Sequence, residues 1–333
     1  MRRNRFVPTT SRILALALGG LLTVSLASAG DHDHGGRHGK GRWGDWCDGG
    51  GEHGRGRDLK TLDRAHVRRM VEQALPDWSP DVLKAPDDNN HWAEEITFEK
   101  ILAVVGDQVQ LPSTLPEGAL QFRDTDRAIR LDPPKGKFRY VSLGRAWNFD
   151  RDFKKPAFDP AKAQEQILAV ARQLGAPFSQ VVDVRVDTQM GAGAQAGAPR
   201  PSDTFEMYRL VSFSRQVGDL TVFGSDLRAA LSHDGQVQRM QVIWPSFSLA
   251  RGLALRERSD VVSDAVQRIL DQNPGRDTRV RSRLVYTPQE DESKVLRYLP
   301  AVQFAVLSAP TPYFVVVPVA EGTAADAEVS QIP

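Results

Sequence analysis

Apolar side chains recur along this chain at two periods, about 3.6 and about 2 residues, and the two kinds of block take turns. Val67, Met70, Val71, Ala74 and Leu75 line one side of a helix expected from about Leu62 to Leu75. Thr61 or Asp63 can cap it, and Pro76 ends it. Asp159-Pro160 places a capping residue before a proline at the first helical position. Ala163, Ile167, Val170, Ala171 and Leu174 follow at helical spacing, and Gly175 closes the element. A third helix is expected from Ser259, with Val262, Ala265, Val266, Ile269 and Leu270 on its stripe and Asn273-Pro274-Gly275 as its stop. The candidate caps Asp63, Asp159 and Ser259 stand 96 and 100 residues apart, with strand-like segments between them. A helix followed by antiparallel strands, repeated, points to tandem α+β units.

The strand signals are clearest in the second half. Phe205, Met207, Val211 and Phe213 share a face, as do Phe223, Leu227, Ala229 and Leu231. Asp234-Gly235 then marks a hairpin turn into Met240, Val242 and Trp244, because Gly tolerates positive φ. After the third helix Val280, Leu284 and Tyr286 alternate, followed by Leu296, Tyr298, Val302, Phe304 and Val306. A turn at Ala309-Pro310-Thr311-Pro312 leads to Tyr313, Val315, Val317 and Val319, and Pro300 marks an edge strand or bulge. Earlier, Ile96, Phe98, Leu102 and Val104 read as a strand, and Phe138 to Val141 follow a turn at Pro133-Pro134-Lys135-Gly136. Residues 190 to 203, rich in Gly, Ala, Pro and Gln, read as a long loop.

The first sixty residues differ in kind. Arg2, Arg3, Arg5 and Arg12 precede an apolar run from Ile13 to Leu26 and then Ala27-Ser28-Ala29, the pattern of a signal peptide ending at residue 29. The expected location is therefore the periplasm or the exterior. Residues 30 to 57 are Gly-rich and polar, too poor in apolar surface to offset their ordering entropy, and read as a disordered tether. His32, His34, His38 and His53 lie there. Asp31-His32-Asp33-His34 offers imidazoles and carboxylates to a divalent metal such as zinc or nickel, weakly, since the spacing is irregular. Apart from that metal, no cofactor is expected. Cys47 has no second cysteine in the chain and reads as a free thiol or an intermolecular bridge. Beyond residue 320 the Ala- and acid-rich tail is expected to fray.

Composition narrows the function classes. Among 333 residues, 41% are hydrophobic and 26% charged, ordinary for a globular chain, and one cysteine excludes a disulfide scaffold or a cysteine-built zinc site. A formal charge of +1 gives no general case for nucleic acid or bilayer binding. Taking the four leader arginines from 43 basic residues leaves 39 against 42 acidic ones, a mature charge of −3.

The segment from Phe213 to Val237, with Val222-Phe223-Gly224-Ser225 opening a strand that ends at Asp234-Gly235, resembles the prodomain of thermolysin- and fungalysin-type metalloproteases. The stretch from the third helix to the hairpin of Leu296–Val319 is similar to PepSY domains. Together the resemblances span residues 159 to 319. They imply tandem cystatin-like units, each a curved antiparallel sheet packed on one helix. The expected divisions are 58–150, a prodomain-like unit at 151–250, a PepSY-like unit at 251–320 and a disordered tail at 321–333. In that protease family the prodomain assists the folding of its enzyme and inhibits it. His-Glu-x-x-His occurs nowhere in these 333 residues: His91-Trp92-Ala93-Glu94-Glu95 lacks the second histidine. The resemblance thus implies a non-catalytic module acting in trans on a secreted or envelope protein, a metalloprotease among the candidates.

Other chemistry is sparse. Neither a Gly-x-Ser-x-Gly elbow nor a Gly-x-Gly-x-x-Gly opening a helix occurs. Outside the tether the histidines are His66, His91 and His233, and only His91, with Trp92, Glu94 and Glu95, has acid–base potential for a hydrolase. Trp147, Trp244 and Tyr208 can line a groove or pack as sheet partners. Arg279, Arg281 and Arg283 form one charged face of a strand, fit for an acidic partner or for protecting an edge.

Overall fold

Asp159 caps the helix that organises the first core: its carboxylate accepts from the Lys162 amide, and Gly175 ends the helix at φ 107°. A computed structural model describes residues 62–107, 111, 118, 120–193, 203–275, 277–290, 296–307, 312–321 and 330–331. Among these, the helices are α1 (Arg64–Ala74), α2 (Phe98–Val104), α3 (Phe149–Asp152), α4 (Pro160–Leu174) and α5 (Arg258–Asp271). The strands are β1 (Gln121–Arg123), β2 (Arg127–Asp132), β3 (Lys137–Ser142), β4 (Val181–Gly193), β5 (Asp203–Val217), β6 (Leu220–Leu231), β7 (Val237–Ile243), β8 (Arg279–Glu290), β9 (Leu296–Leu307), β10 (Tyr313–Pro318) and β11 (Ser330–Gln331). The fold is α+β, as expected: one large, open, mostly antiparallel sheet with helices packed on it, and no barrel.

The strands run β1-β2-β3-β7-β6-β8-β9-β10-β11, and β5 lies beside β6 with β4 outside it. The β6 strand therefore has two neighbours along one side. Its second half pairs antiparallel with β7, while Thr221 and Val222 pair parallel with Val285 and Tyr286 of β8. Gly224, at φ 74°, separates the two halves.

Two cores result. The first packs α2 and α4 on one face of β2, β3, β5, β6 and β7, through Phe98, Ile101, Ile167, Phe138, Phe213 and Trp244. The second packs α1 and α5 on β9 and β10, through Val67, Val71, Val262, Val266, Phe304 and Val317. Between them sits a smaller cluster that includes Val217, Val222, Phe247, Tyr286 and Tyr298.

The packing brings together segments distant in the chain. Helix α1 joins the C-terminal core beside α5, and β3 pairs with β7, so that β1–β3 extend the middle sheet. Each sheet region accordingly carries two helices rather than one. The apolar stripe of α1 is short, with Val67 and Val71 buried, and the α5 face with β9 and β10 supplies its apolar partners.

Smaller differences have local causes. Ile96 to Val104 is not a strand. Thr97 accepts from the Lys100 amide and starts α2, and Phe98, Ile101, Leu102 and Val105 are buried at helical spacing. Residues 190–193 are strand rather than loop, because β4 continues to Gly193 against β5. Pro300 lies neither on an edge strand nor at a bulge. Strand β9 is flanked by β8 and β10, and the β10 ladder ends at Ala301↔Pro318, beside the proline that has no N–H to give. Helix α5 starts at Arg258, one residue early, and its cap residue Glu257 makes no side-chain capping bond. Ser330–Gln331 of the expected tail pair with β10. The signal peptide, the tether and most of the remaining tail lie outside the described residues.

Val71 is fully buried between α1 and the C-terminal core. Val71→Ala should cost about 2 kcal/mol. Hydrogen exchange should speed up in α5 and β8–β10 and stay unchanged in α4. Loss of protection confined to residues 64–150 would contradict this assignment of α1.

Candidate functional site

His91 opens a turn in which the Glu94 and Glu95 amides both donate to its carbonyl at 2.9 Å. That turn brings the His91 Nδ1 within 2.5 Å of a Glu94 carboxylate oxygen. The other oxygen accepts from the Ser246 amide at 2.5 Å, just beyond β7. Glu95 is exposed and joins neither contact. The hydrogen bond to Glu94, and then that carboxylate's charge, hold the His91 pKa above its ordinary 6.5. Burial pushes Glu94 up, but the Ser246 amide and His91 outweigh it and hold its pKa below 4.5. Both carboxylate oxygens are thus engaged in tying the turn to the sheet.

A deeper ionic group lies beside it. Arg215, near the end of β5, has no solvent exposure. It donates to Asp88 at 2.7 Å, to the Gln180 side chain at 2.7 Å and to the Pro245 carbonyl. Its guanidinium carbon lies 5.4 Å from the Trp244 ring and 5.9 Å from that of Phe247. Burial pulls its pKa down, while Tyr298, Asp88 and Glu94 pull it up. Asp88 also accepts from the Gln180 amide nitrogen at 2.8 Å and pairs its backbone with Phe247. A second ionic group is built alike: Asp107 accepts from Arg145 and from the Tyr140 hydroxyl, each at 2.5 Å. Both groups are clasps within the fold.

The other residues singled out in the sequence scatter. Trp244 is fully buried in the first core. Trp147 stacks on Phe205 at 4.5 Å, and its backbone amide donates to the Tyr208 hydroxyl at 2.6 Å, so the three aromatics do not line one groove. His233 Nδ1 lies 2.7 Å from the Pro156 carbonyl and donates to it. His66 gives its backbone amide to the α1 cap, Asp63. Among the described residues no cluster of His, Cys, Asp and Glu converges to hold a metal. His32, His34, His38, His53 and Cys47 lie outside the described residues. A shallow cleft of about 220 Å³ between α1 and α5, with Arg68, Glu72 and Arg258 around it, holds none of the singled-out histidines.

What the sequence did not reveal is a row that only strand register assembles. Residues directly opposite in antiparallel strands point to the same face. Ile129, Tyr140, Met240, Ala229 and Val211 stand opposite one another in turn, and all lie in the first core under α2 and α4. One position along, on the other face, Arg130 faces Arg139, Arg139 faces Gln241, Gln241 faces Arg228, Arg228 faces Ser212 and Ser212 faces Arg185. Four arginines therefore cross the sheet on the side turned away from the helices. Arg130 and Arg228 are exposed, and Arg139 is half-buried. Arg283 of β8 lies near the end of this row. Burial pulls the Arg283 pKa down, Asp183 at 3.6 Å opposes that, and the nearby charge of Arg185 adds to it.

No protein-family model matches the chain, and no curated protein matches it. Among solved structures, an uncharacterized protein from Eubacterium rectale ATCC 33656 is similar at 10% identity and a TM-score of 0.36, covering 70% of this chain and 75% of its own. The Bacillus megaterium YpeB C-terminal domain is similar at 9% identity and a TM-score of 0.32, covering 74% of this chain and all of its own.

Two outcomes follow from these contacts. Asp88→Asn leaves a fully buried guanidinium uncompensated and should cost about 3–5 kcal/mol in urea unfolding, whereas adding Arg215→Met should recover most of that loss. Equal losses in the single and double variants would deny the coupling. For His91, the raised pKa means stability that is full below pH 6.5 and lost as pH climbs through the folded value. Glu94, held low, contributes fully above pH 4.5 and loses that contribution as pH falls through its folded value. Glu94→Gln should therefore return the His91 NMR titration midpoint toward 6.5 and should destabilise more at pH 5.5 than at pH 9. An unmoved midpoint would show that the pair does not form in solution.

Proposed function

We propose that this protein is an exported, non-catalytic binding protein that holds another secreted or envelope protein on the sheet face turned away from α2 and α4. The observation that carries this reading is the one-sided packing of the middle sheet. Its apolar face is covered by helices, and its other face presents a row of arginines with Ser and Gln between them. The signal-like leader supports a periplasmic or secreted location, and the prodomain resemblance makes a metalloprotease the first partner to test. The β4 edge is a poorer site for strand addition, because bulges at Val182/Arg185 and Gln189/Met190 interrupt its ladder.

A hydrolase built on His91 is the second reading, and the 2.5 Å contact with Glu94 is what favours it. It needs a nucleophile or activated water beside an imidazole that already shares its proton with a structural carboxylate. Weak metal capture by His32, His34, His38 and His53 is a third activity, compatible with the first; the folded body is proposed to need no cofactor.

Crosslinking the tagged full-length protein in its native envelope, followed by mass spectrometry, tests the first reading. One or a few exported proteins should be enriched over a tag-only control. Enrichment of none, together with hydrolytic turnover that His91→Gln abolishes, would transfer the function to the second reading.

A further inference from the structure

Deepening the proposed binding function, and resting on it, we infer that the partner presents an acidic polypeptide segment to the arginine row. The flanking rows of the same face, placed by the same registers, add Arg123, Arg239 and Lys137 on the basic side. Asp132, Asp187 and Asp226 are the acidic members. Seven cationic side chains against three anionic ones thus share one face of a chain whose formal charge is only +1. Charge of one sign is gathered here rather than spread over the surface, which is what complementary recognition requires.

Geometry narrows the chemistry. Neighbouring strands lie about 4.8 Å apart, so Arg130 and Arg139 form a close pair, and Arg228 and Arg185 follow at two-strand steps of about 10 Å. Ser212 and Gln241 fill the intervening positions with hydrogen-bonding groups. Guanidinium forks take carboxylates with two parallel hydrogen bonds, and spaced Asp or Glu side chains on an extended segment can meet them in turn. A uniform polyanion fits less well. Asp226, which accepts from Arg228 at 2.7 Å, and Asp187 would face its charges directly. The aromatic ring these registers place on this face, Tyr208 opposite Gln189, is buried with its hydroxyl accepting from the Trp147 amide, and so offers no open platform on which bases could stack.

The test uses the full chain and, as the probe, a synthetic peptide in which Glu alternates with Ser. Binding is expected at 50 mM salt, weakening as salt rises to about 300 mM as screening lengths shorten. Replacing Arg130, Arg139 and Arg228 together by Gln should weaken it about tenfold or more, while Arg68→Gln on α1 leaves it unchanged. These side chains point away from both cores, and an unchanged far-ultraviolet spectrum and melting temperature should confirm that the triple variant folds. If it does not, Arg130→Gln and Arg139→Gln singly should each weaken binding about threefold. The inference is overturned by no binding to the alternating Glu-Ser peptide, by equal binding of the Gln variants, or by tighter binding to heparin or to phosphatidylglycerol vesicles. Crosslinking separates this from the broader reading. An envelope partner that the triple variant still captures leaves a binding protein whose partner is not acidic, whereas no captured partner removes the binding function itself.

Discussion

A guanidinium shut away from water costs several kcal/mol unless every donor finds an acceptor, and Arg215 is in that position. Its acceptors come from three places: Asp88 in the segment before α2, Gln180 just ahead of β4, and the Pro245 carbonyl just beyond β7. None of these is near Arg215 in sequence. The end of β5 can be buried only when all three have arrived, so one side chain makes their assembly mutually dependent. Trp244 of the first core and Phe247 of the joint both flank the charge. The ionic group therefore sits where the helix-covered middle sheet gives way to the C-terminal one.

The same junction ties the middle and C-terminal sheet regions together. Strand β6 serves both sheet regions, and Gly224 lets it change direction between them at a φ that costs other residues about 1 kcal/mol or more. Ser225 follows, nearly fully buried, its hydroxyl donating to the Ile243 carbonyl at 3.0 Å. Helix α1 then closes the arrangement by packing against α5, almost two hundred residues later. Bringing such distant segments together costs loop-closure entropy that grows only slowly with length, so the penalty is tolerable in equilibrium and falls mainly on folding rate.

Local signals were the legible ones. Asp159-Pro160 and Gly175 place α4 to the residue, and Asp234-Gly235 places the β6–β7 turn, where the Gly235 amide donates to the Ser232 carbonyl. The α2 helix was hidden because Ile96, Phe98, Leu102 and Val104 mimic alternation, while Ile101 and Val105 carry the helical stripe. Strand β4 was hidden for the opposite reason. Val181, Val184 and Val186 pack on the first core, but the bulge between Val182 and Arg185 breaks their period. The arginine row was not legible at all. Arg130, Arg139, Arg185 and Arg228 lie in four separate strands, and only the non-local pairing of β3 with β7 and β7 with β6 sets them in line.

That row answers two demands at once. A wide sheet with one face uncovered risks stacking on the corresponding face of another copy, and charged side chains along it prevent this. Lysines would serve that purpose as well, since any like charge repels. Six of the seven cations on this face are arginine, as are 33 of the 43 in the whole chain, and the rigid arginine fork loses less freedom on pairing and fixes the direction of its hydrogen bonds. Repulsion between copies needs charge alone; directional pairing at strand-set intervals is useful only toward something that carries matching acceptors. It is therefore the alignment of these forks across the strands that weighs toward recognition, and the interspersed aspartates weigh toward a partner whose own charges are spaced rather than continuous.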